Sequence, residues 1–268
     1  MEKGIFIHRT LMPVFVQALG GRMPEGITLP EDAAHIQGDS GGIKNQQELL
    51  EALAASGILK NDESGHTLPD DMAFIALNNV WKATHVLLCT ATTAGGLEEE
   101  KPLQEQKNTG ASKRMGFYLY EDSMTMVTWE PDGWRLLYLP TVKLAVGALA
   151  DLLWQADGQG QTEDVEKAAG AGDDQTALKL LKEGGAIPPE KPDTIVTLEG
   201  FDQGNRAIRS LIYIQDGRGW LCEYDAAYVH GGWYERTDLI NRAARWLIRA
   251  HREDILALMH KGGDKGDD

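Results

Sequence analysis

Apolar positions along the chain switch between two spacings, one of three to four residues and one of two. The switches divide it into helices and strands. Ile5 and Ile7 alternate with other residues, which fits a short strand or the lead-in to a helix. From Thr10 to Leu19 the apolar residues Leu11, Met12, Val14, Phe15, Val16 and Leu19 predict a helix that stops at Gly20-Gly21, glycine being a common residue past a helix C-terminus. A turn-rich stretch runs on to Gly42. A second helix is predicted from about Asn45 to Ser56, with Leu49, Leu50 and Leu53 on one face. A third opens at Pro69-Asp70-Asp71, where acidic side chains meet the positive end of the helix dipole. It carries Met72, Phe74, Ile75, Leu77, Val80 and Trp81 at helical spacing. Between these two, Leu53 to Leu68 reads as helix, Gly-Ile-Leu, polar turn, His-Thr-Leu-Pro. This fits either an ordinary connection between helices or the wing of a winged-helix DNA binder.

The period then shortens to two. Thr84 to Thr93 is β-branched and apolar and predicts a strand. Gly95 to Ser112 is polar, with Glu98-Glu99-Glu100 and no apolar period, and predicts an exposed loop. Three short strands follow at Arg114–Tyr120, Met124–Glu130 and Trp134–Leu139. They are separated by Glu121-Asp122-Ser123 and by Pro131-Asp132-Gly133, where Asp-Gly is a strong hairpin signal. Thr141 to Trp154 predicts an apolar helix. Gln155 to Gly172, rich in Gly, Gln and Ala, reads as a linker. A short helix (Asp173–Glu183), strands at Thr194–Glu199, Ala207–Gln215 and Trp220–Tyr224, and a long helix capped by Thr237 and running to about His260 complete the chain. The tail from Lys261 has the composition of a disordered segment.

Residues 1–154, a helical entry followed by a first half from Asp70, and residues 155–268 repeat one order of elements: from Asp70 to Trp154 and again from Asp173 to His260 the chain reads helix, strand, loop, strands with an Asp-Gly turn before a Trp (Trp134, Trp220), then helix. The expected fold is α+β. Two related helix/β-meander halves share a mixed or antiparallel sheet, with helices over one face, in one compact pseudo-twofold domain. An internal duplication explains the order, as does the coincidence that any α+β chain allows.

Composition narrows the function. The chain has 268 residues, 42% hydrophobic and 25% charged, ordinary for a globular protein. It lacks an apolar run near the roughly 20 residues needed to cross a bilayer, and it lacks the apolar region of a signal peptide near Met1. A cytoplasmic protein is expected, without membrane insertion. A net charge of -15 repels phosphate backbones, so nucleic acid is not an expected partner. The two cysteines, Cys89 and Cys222, sit in apolar strands and read as buried reduced thiols. The seven histidines show no metal-ligand spacing, so no metal or cofactor is expected. Gly38-Asp39-Ser40-Gly41-Gly42 fits the nucleophile-elbow pattern but lacks the apolar strand that must precede it. No catalytic residue is assigned.

Two constellations remain. His230, Trp233 and Tyr234 lie in a Gly-rich aromatic stretch that could line a pocket or simply pack a turn on the core. On the last helix Arg242, Arg245, Arg249 and Arg252 step by three and four and share a face, opposite Ile240, Ala243, Ala244, Leu247 and Ile255. That row is either a solvated face or a basic docking stripe for an acidic partner.

The helix-then-strand run Leu68–Leu88, the strand pair Met124–Leu139 with its following helix, and Ser210–Tyr224 with its Asp216-Gly217-Arg218-Gly219 turn resemble the EspG family, the cytosolic chaperones of type VII secretion. The resemblance spans most of the chain and rests on element order rather than on a motif. It implies a non-enzymatic, substrate-specific chaperone that binds a helical secreted protein, and it assigns no contact residue. Two alternatives share the acidity and the lack of a motif: an immunity or antitoxin-like protein neutralising a toxin domain, and an enzyme with a dispersed site.

Overall fold

The computed structural model describes residues 4–12, 15–16, 22–27, 46–61, 66–93, 112–153, 164–167 and 169–263. Twelve strands and five α-helices occur among them. The strands are β1 (Ile5–His8), β2 (Leu59–Asn61), β3 (Thr67–Pro69), β4 (His85–Thr93), β5 (Lys113–Tyr120), β6 (Ser123–Glu130), β7 (Gly133–Leu139), β8 (Asp164–Lys167), β9 (Thr194–Asp202), β10 (Asn205–Gln215), β11 (Arg218–Tyr224) and β12 (Val229–Tyr234). The helices are α1 (Gln46–Ala55), α2 (Asp71–Lys82), α3 (Val142–Leu152), α4 (Asp174–Glu183) and α5 (Arg236–Gly263). Ten strands form one sheet in the order β1-β7-β6-β5-β4-β9-β10-β11-β12-β8, and β2 and β3 form a hairpin of their own. The architecture is α+β. Contacts divide the chain into two compact units, one of Met1–Val86, Gly116–Thr141 and Asp254–Asp268, the other of Leu87–Met115 and Val142–Glu253.

In the first unit, β1 pairs antiparallel with β7, and β7 with β6. The alternating start of the chain is therefore a strand, not a helix lead-in. Its inward residues Ile5 and Ile7 are buried. Gly133 does not serve the turn before it with a left-handed backbone. It opens β7, and a Cβ there would lie 2.1 Å from the Ile7 carbonyl oxygen, so glycine is what lets β1 approach. α2 begins where the acidic pair predicts, with the Asp70 carboxylate accepting from the Ala73 amide at 3.0 Å. It buries Ala73, Ala76, Leu77 and Val80. The segment between α1 and α2 holds the antiparallel pair β2–β3. Lys60 pairs there with Asp70 at 3.2 Å. Of the helix expected over Thr10–Leu19, Arg9–Leu11 is a 3-10 turn. Met12, Phe15 and Val16 are helical and buried, and the rest lies outside the described residues.

In the second unit, β9, β10, β11, β12 and β8 are antiparallel neighbours. The turns Gln203-Gly204 and Asp216-Gly217 each take two positive φ angles (47° and 80°, 49° and 71°), the geometry whose twist matches a two-residue hairpin. Two strands correct the sequence reading. Asp164–Lys167, within the expected linker, forms β8, and the Gly-rich aromatic stretch forms β12. A further correction concerns the helices, which cover both faces of this part of the sheet rather than one. α4 packs on the face of Leu211, Trp220, Cys222 and Val229, where Leu181 is buried among them. α5 packs on the other, where the Trp246 ring approaches to 2.6 Å from where a Cβ of Gly200 would stand. Both cysteines are free and buried. Burial raises the Cys89 thiol pKa, and burial with the nearby Asp174 and Glu223 charges raises that of Cys222 to about 12.

Candidate partner-binding face

α5 and the strands beneath it bring together most of the residues singled out in sequence. In a strand successive side chains point to opposite faces, so β12 separates the three expected pocket residues. His230 and Tyr234 face α5, and both are buried. The His230 Nε2 and the Tyr234 hydroxyl are 2.6 Å apart. Trp233 faces the α4 side, where the Arg218 guanidinium stacks 4.5 Å from its ring centre. His230 and Tyr234 therefore belong to the packing under α5.

The antiparallel register aligns a polar row on the face under α5. Ser210 lies opposite Glu223, Glu223 opposite His230, and His230 opposite Glu166. Glu223 is 4% exposed. Its carboxylate accepts from the Tyr228 hydroxyl at 3.1 Å and from the Ser210 hydroxyl at 3.5 Å. Burial raises its pKa, and the Tyr228 hydrogen bond, the Arg245 and Arg242 charges and the Ser210 hydrogen bond oppose the rise without cancelling it. Glu166, at the sheet edge, places an oxygen 3.8 Å from His230 Nδ1.

The four arginines of α5 are not equivalent. Arg242 is half-buried and its guanidinium lies 4.6 Å from the centre of the Tyr234 ring. Arg245, Arg249 and Arg252 are exposed. Arg249 lies 3.5 Å from Glu253, one turn on, an exposed pair of the kind that contributes little. The buried face of the helix is Leu239, Ala243, Ala244, Trp246, Leu247 and Ala250. Ile255, expected on that face, is 36% exposed, and Ile248, next to the arginines, is 49% exposed. The described face thus combines cations with an exposed apolar side chain, on a protein whose net charge is -15.

A second polar cluster, invisible in sequence, lies on the α4 side. Arg209 donates two hydrogen bonds to Asp174, at 2.6 and 2.7 Å, and one to Glu199 at 2.6 Å, while the Tyr224 hydroxyl donates to Asp174 at 2.6 Å. Burial works against the Arg209 charge, but the Asp174 hydrogen bonds and the Glu199 and Asp174 charges outweigh it and raise its pKa. Beside this cluster, an open concavity of about 470 Å³ is lined by Arg206, Ile208, Tyr224 and Asp225 with small neighbours. Arg206 is engaged within its wall, donating to the Gly172 carbonyl at 2.8 Å. Among the described residues no group of three His, Cys, Asp or Glu side chains could hold a metal ion, and no helix is long and apolar enough to cross a membrane. The Gly38–Gly42 motif and the Glu98–Glu100 run lie outside the described residues.

Comparison with solved structures finds a similar fold elsewhere. The structure is similar to the Mycobacterium tuberculosis type VII secretion system chaperone EspG5, solved in complex with a PE25–PPE41 dimer. The TM-score is 0.57 at 9% identity, over 92% of this chain and 96% of that one. The fold is EspG-like. At this identity the likeness is one of fold, reached without shared motifs, and it agrees with the resemblance read from element order. No family model matches the chain, and no curated protein matches it in sequence.

Proposed function

We propose that this protein is a non-enzymatic binding factor of chaperone type that holds a helical protein partner in the cytoplasm, the partner being a substrate of a type VII-like secretion system. The observation that carries this reading is the likeness to EspG5 over 92% of the chain, a protein whose solved complex contains a protein dimer. In this reading Arg242, Arg245, Arg249 and Arg252 form a basic docking stripe, with Ile248 supplying apolar contact. Amphipathic helices are commonly held by such mixed surfaces. Basic groups on an otherwise acidic protein direct an acidic segment to one place.

The test is affinity capture by the tagged protein from lysate of its own cells, run beside the variant R242Q/R245Q/R249Q/R252Q. A helical secretion-type protein retained at stoichiometric amount by the parent and lost by the variant supports the proposal. Its equal retention by both removes the stripe. A toxin domain retained in its place turns the reading to immunity, which the net charge of -15 also suits.

A further inference from the structure

α5 carries a second row of positions that its packing on the protein does not use. Asp238, Asn241, Arg245, Ile248, Arg252 and Ile255 step by three and four residues in alternation, and all six are exposed. That alternation keeps the row on one side of the helix, and it is the spacing by which one helix packs along another. The row that meets the protein, Leu239, Ala243, Trp246, Ala250 and Asp254, runs on the opposite side and is buried. A helix packed on one side only has a polar outer face. Here the C-terminal half of the outer row holds isoleucine at every other position. Ile248 and Ile255 are exposed, and so is Leu256 beside the second. Large apolar side chains grouped on an exposed face mark an interaction site. Arg245 and Arg252 alternate with the isoleucines. An arginine so placed lays its stem along apolar surface and carries its guanidinium to an acid at the margin.

We propose that the outer row of α5 is a helix-packing seam whose occupant is an acidic amphipathic helix, with aliphatic side chains set against Ile248 and Ile255 and carboxylates set against Arg245 and Arg252. This inference rests on the reading of α5 as a docking stripe and gives that stripe a register. Charge selects the occupant. From Arg245 to Leu256 the exposed charged residues are Arg245, Arg249, Arg252 and Glu253, and Arg249 and Glu253 lie 3.5 Å apart. A second copy of α5 on the seam would set Arg245 and Arg252 against their own kind, and like charges at packing distance repel. An acidic helix satisfies both. The seam also sorts the arginines. Arg245 and Arg252 lie on it, Arg249 flanks it, and Arg242 is turned toward the Tyr234 ring.

The probe is a fluorescein-labelled synthetic helix with leucine and glutamate alternating at three- and four-residue spacing along one face. Its control is a helical peptide of the same composition and charge with those residues spread round the helix. Both are titrated into the full chain and read by fluorescence anisotropy. The parent protein is expected to bind the periodic peptide about tenfold or more tightly than the control, the effect of burying two isoleucines. I248Q/I255Q loses this preference. R245Q/R252Q binds the periodic peptide less tightly and with a weaker dependence on salt. L144Q, at an exposed apolar position of α3, changes neither. Equal binding of both peptides by the parent, or parental preference in I248Q/I255Q, overturns the seam and leaves a stripe that docks by charge alone. Binding of neither peptide overturns the stripe, and the seam with it. Sedimentation of the parent should show a monomer. A dimer that I248Q/I255Q dissociates would assign the seam to a second copy and overturn the acidic helix.

Discussion

Glu223 and Asp70 are carboxylates displaced in opposite directions, and each makes a prediction with its own sign. Burial raises the folded pKa of Glu223 above its ordinary value, so the folded protein holds the proton more tightly than the unfolded chain. Its contribution to stability is greatest in acid and declines as pH rises through the folded pKa. Urea unfolding of E223Q and the parent at a series of pH values should show the difference between them growing as pH rises, in favour of E223Q; a constant difference would contradict this. Asp70 behaves the other way. The hydrogen bond from the Ala73 amide, opposed by slight burial and helped by Lys60, lowers its pKa. The stabilisation it gives is present at neutral pH and lost as pH falls through that lowered value. D70A removes the cap of α2 and should cost about 1 kcal/mol at neutral pH and progressively less in acid. Arg209 is a third case. Its side chain is 11% exposed and its partners Asp174 and Glu199 are 29% and 28% exposed. R209M leaves two carboxylates without their cation at the α4 face, with an expected loss of about 2 to 3 kcal/mol, below the cost for a fully buried pair because water reaches both acids.

Elements were most legible where a local rule set them. The acidic opening of α2 at Asp70, the start of α4 at Asp173, whose carboxylate accepts from the Thr176 amide at 2.8 Å, the Asp216-Gly217 turn and the period-two runs of β4 to β7 each follow from neighbours in the chain, and those elements stand within a residue or two of their expected places. β8 and β12 were not legible. β8 is four residues of mixed polarity, and β12 carries two glycines, which strand propensity disfavours. Both exist because a neighbouring strand offers its backbone: β12 pairs with β11, and β8 with β12. Gly200 shows how such packing constrains an element. A Cβ there would meet Trp246 at 2.6 Å and Ile208 at 2.7 Å. G200A should therefore lift α5 from β9 and destabilise by roughly 1 to 3 kcal/mol, read as a lower urea midpoint at unchanged slope. An unchanged midpoint would mean that α5 yields without cost.

At the scale of the whole molecule, the thiols give a measure of integrity. Cys89 and Cys222 both belong to the second unit and both are fully buried, with raised pKa values that suppress the reactive thiolate. The native protein should leave both unreacted with a thiol reagent, and both should react together at the urea concentration where that unit opens. A thiol reacting under native conditions would show local opening of its strand. The same scale decides what the arginines of α5 mean. By spacing alone they are one face of a helix. In the fold Arg242 rests on an aromatic ring, Arg249 has a partner one turn away, and Arg245 and Arg252 are exposed, so the four are not equivalent.

The amino-acid sequence by itself determined the helix and strand periods, the starts of α2 and α4, the burial of both thiols and the acidic balance, because these depend on residues near in sequence or on sums over the chain. From element order it also carried the resemblance to a chaperone fold. Only the tertiary structure decided that β8 and β12 are strands, that His230 faces α5 while Trp233 faces α4, that Arg209 joins Asp174 to Glu199, and that Glu223 is buried opposite His230. Those facts are set by strand register and by which helix covers which face. They join residues tens of positions apart, and no local period records such distances.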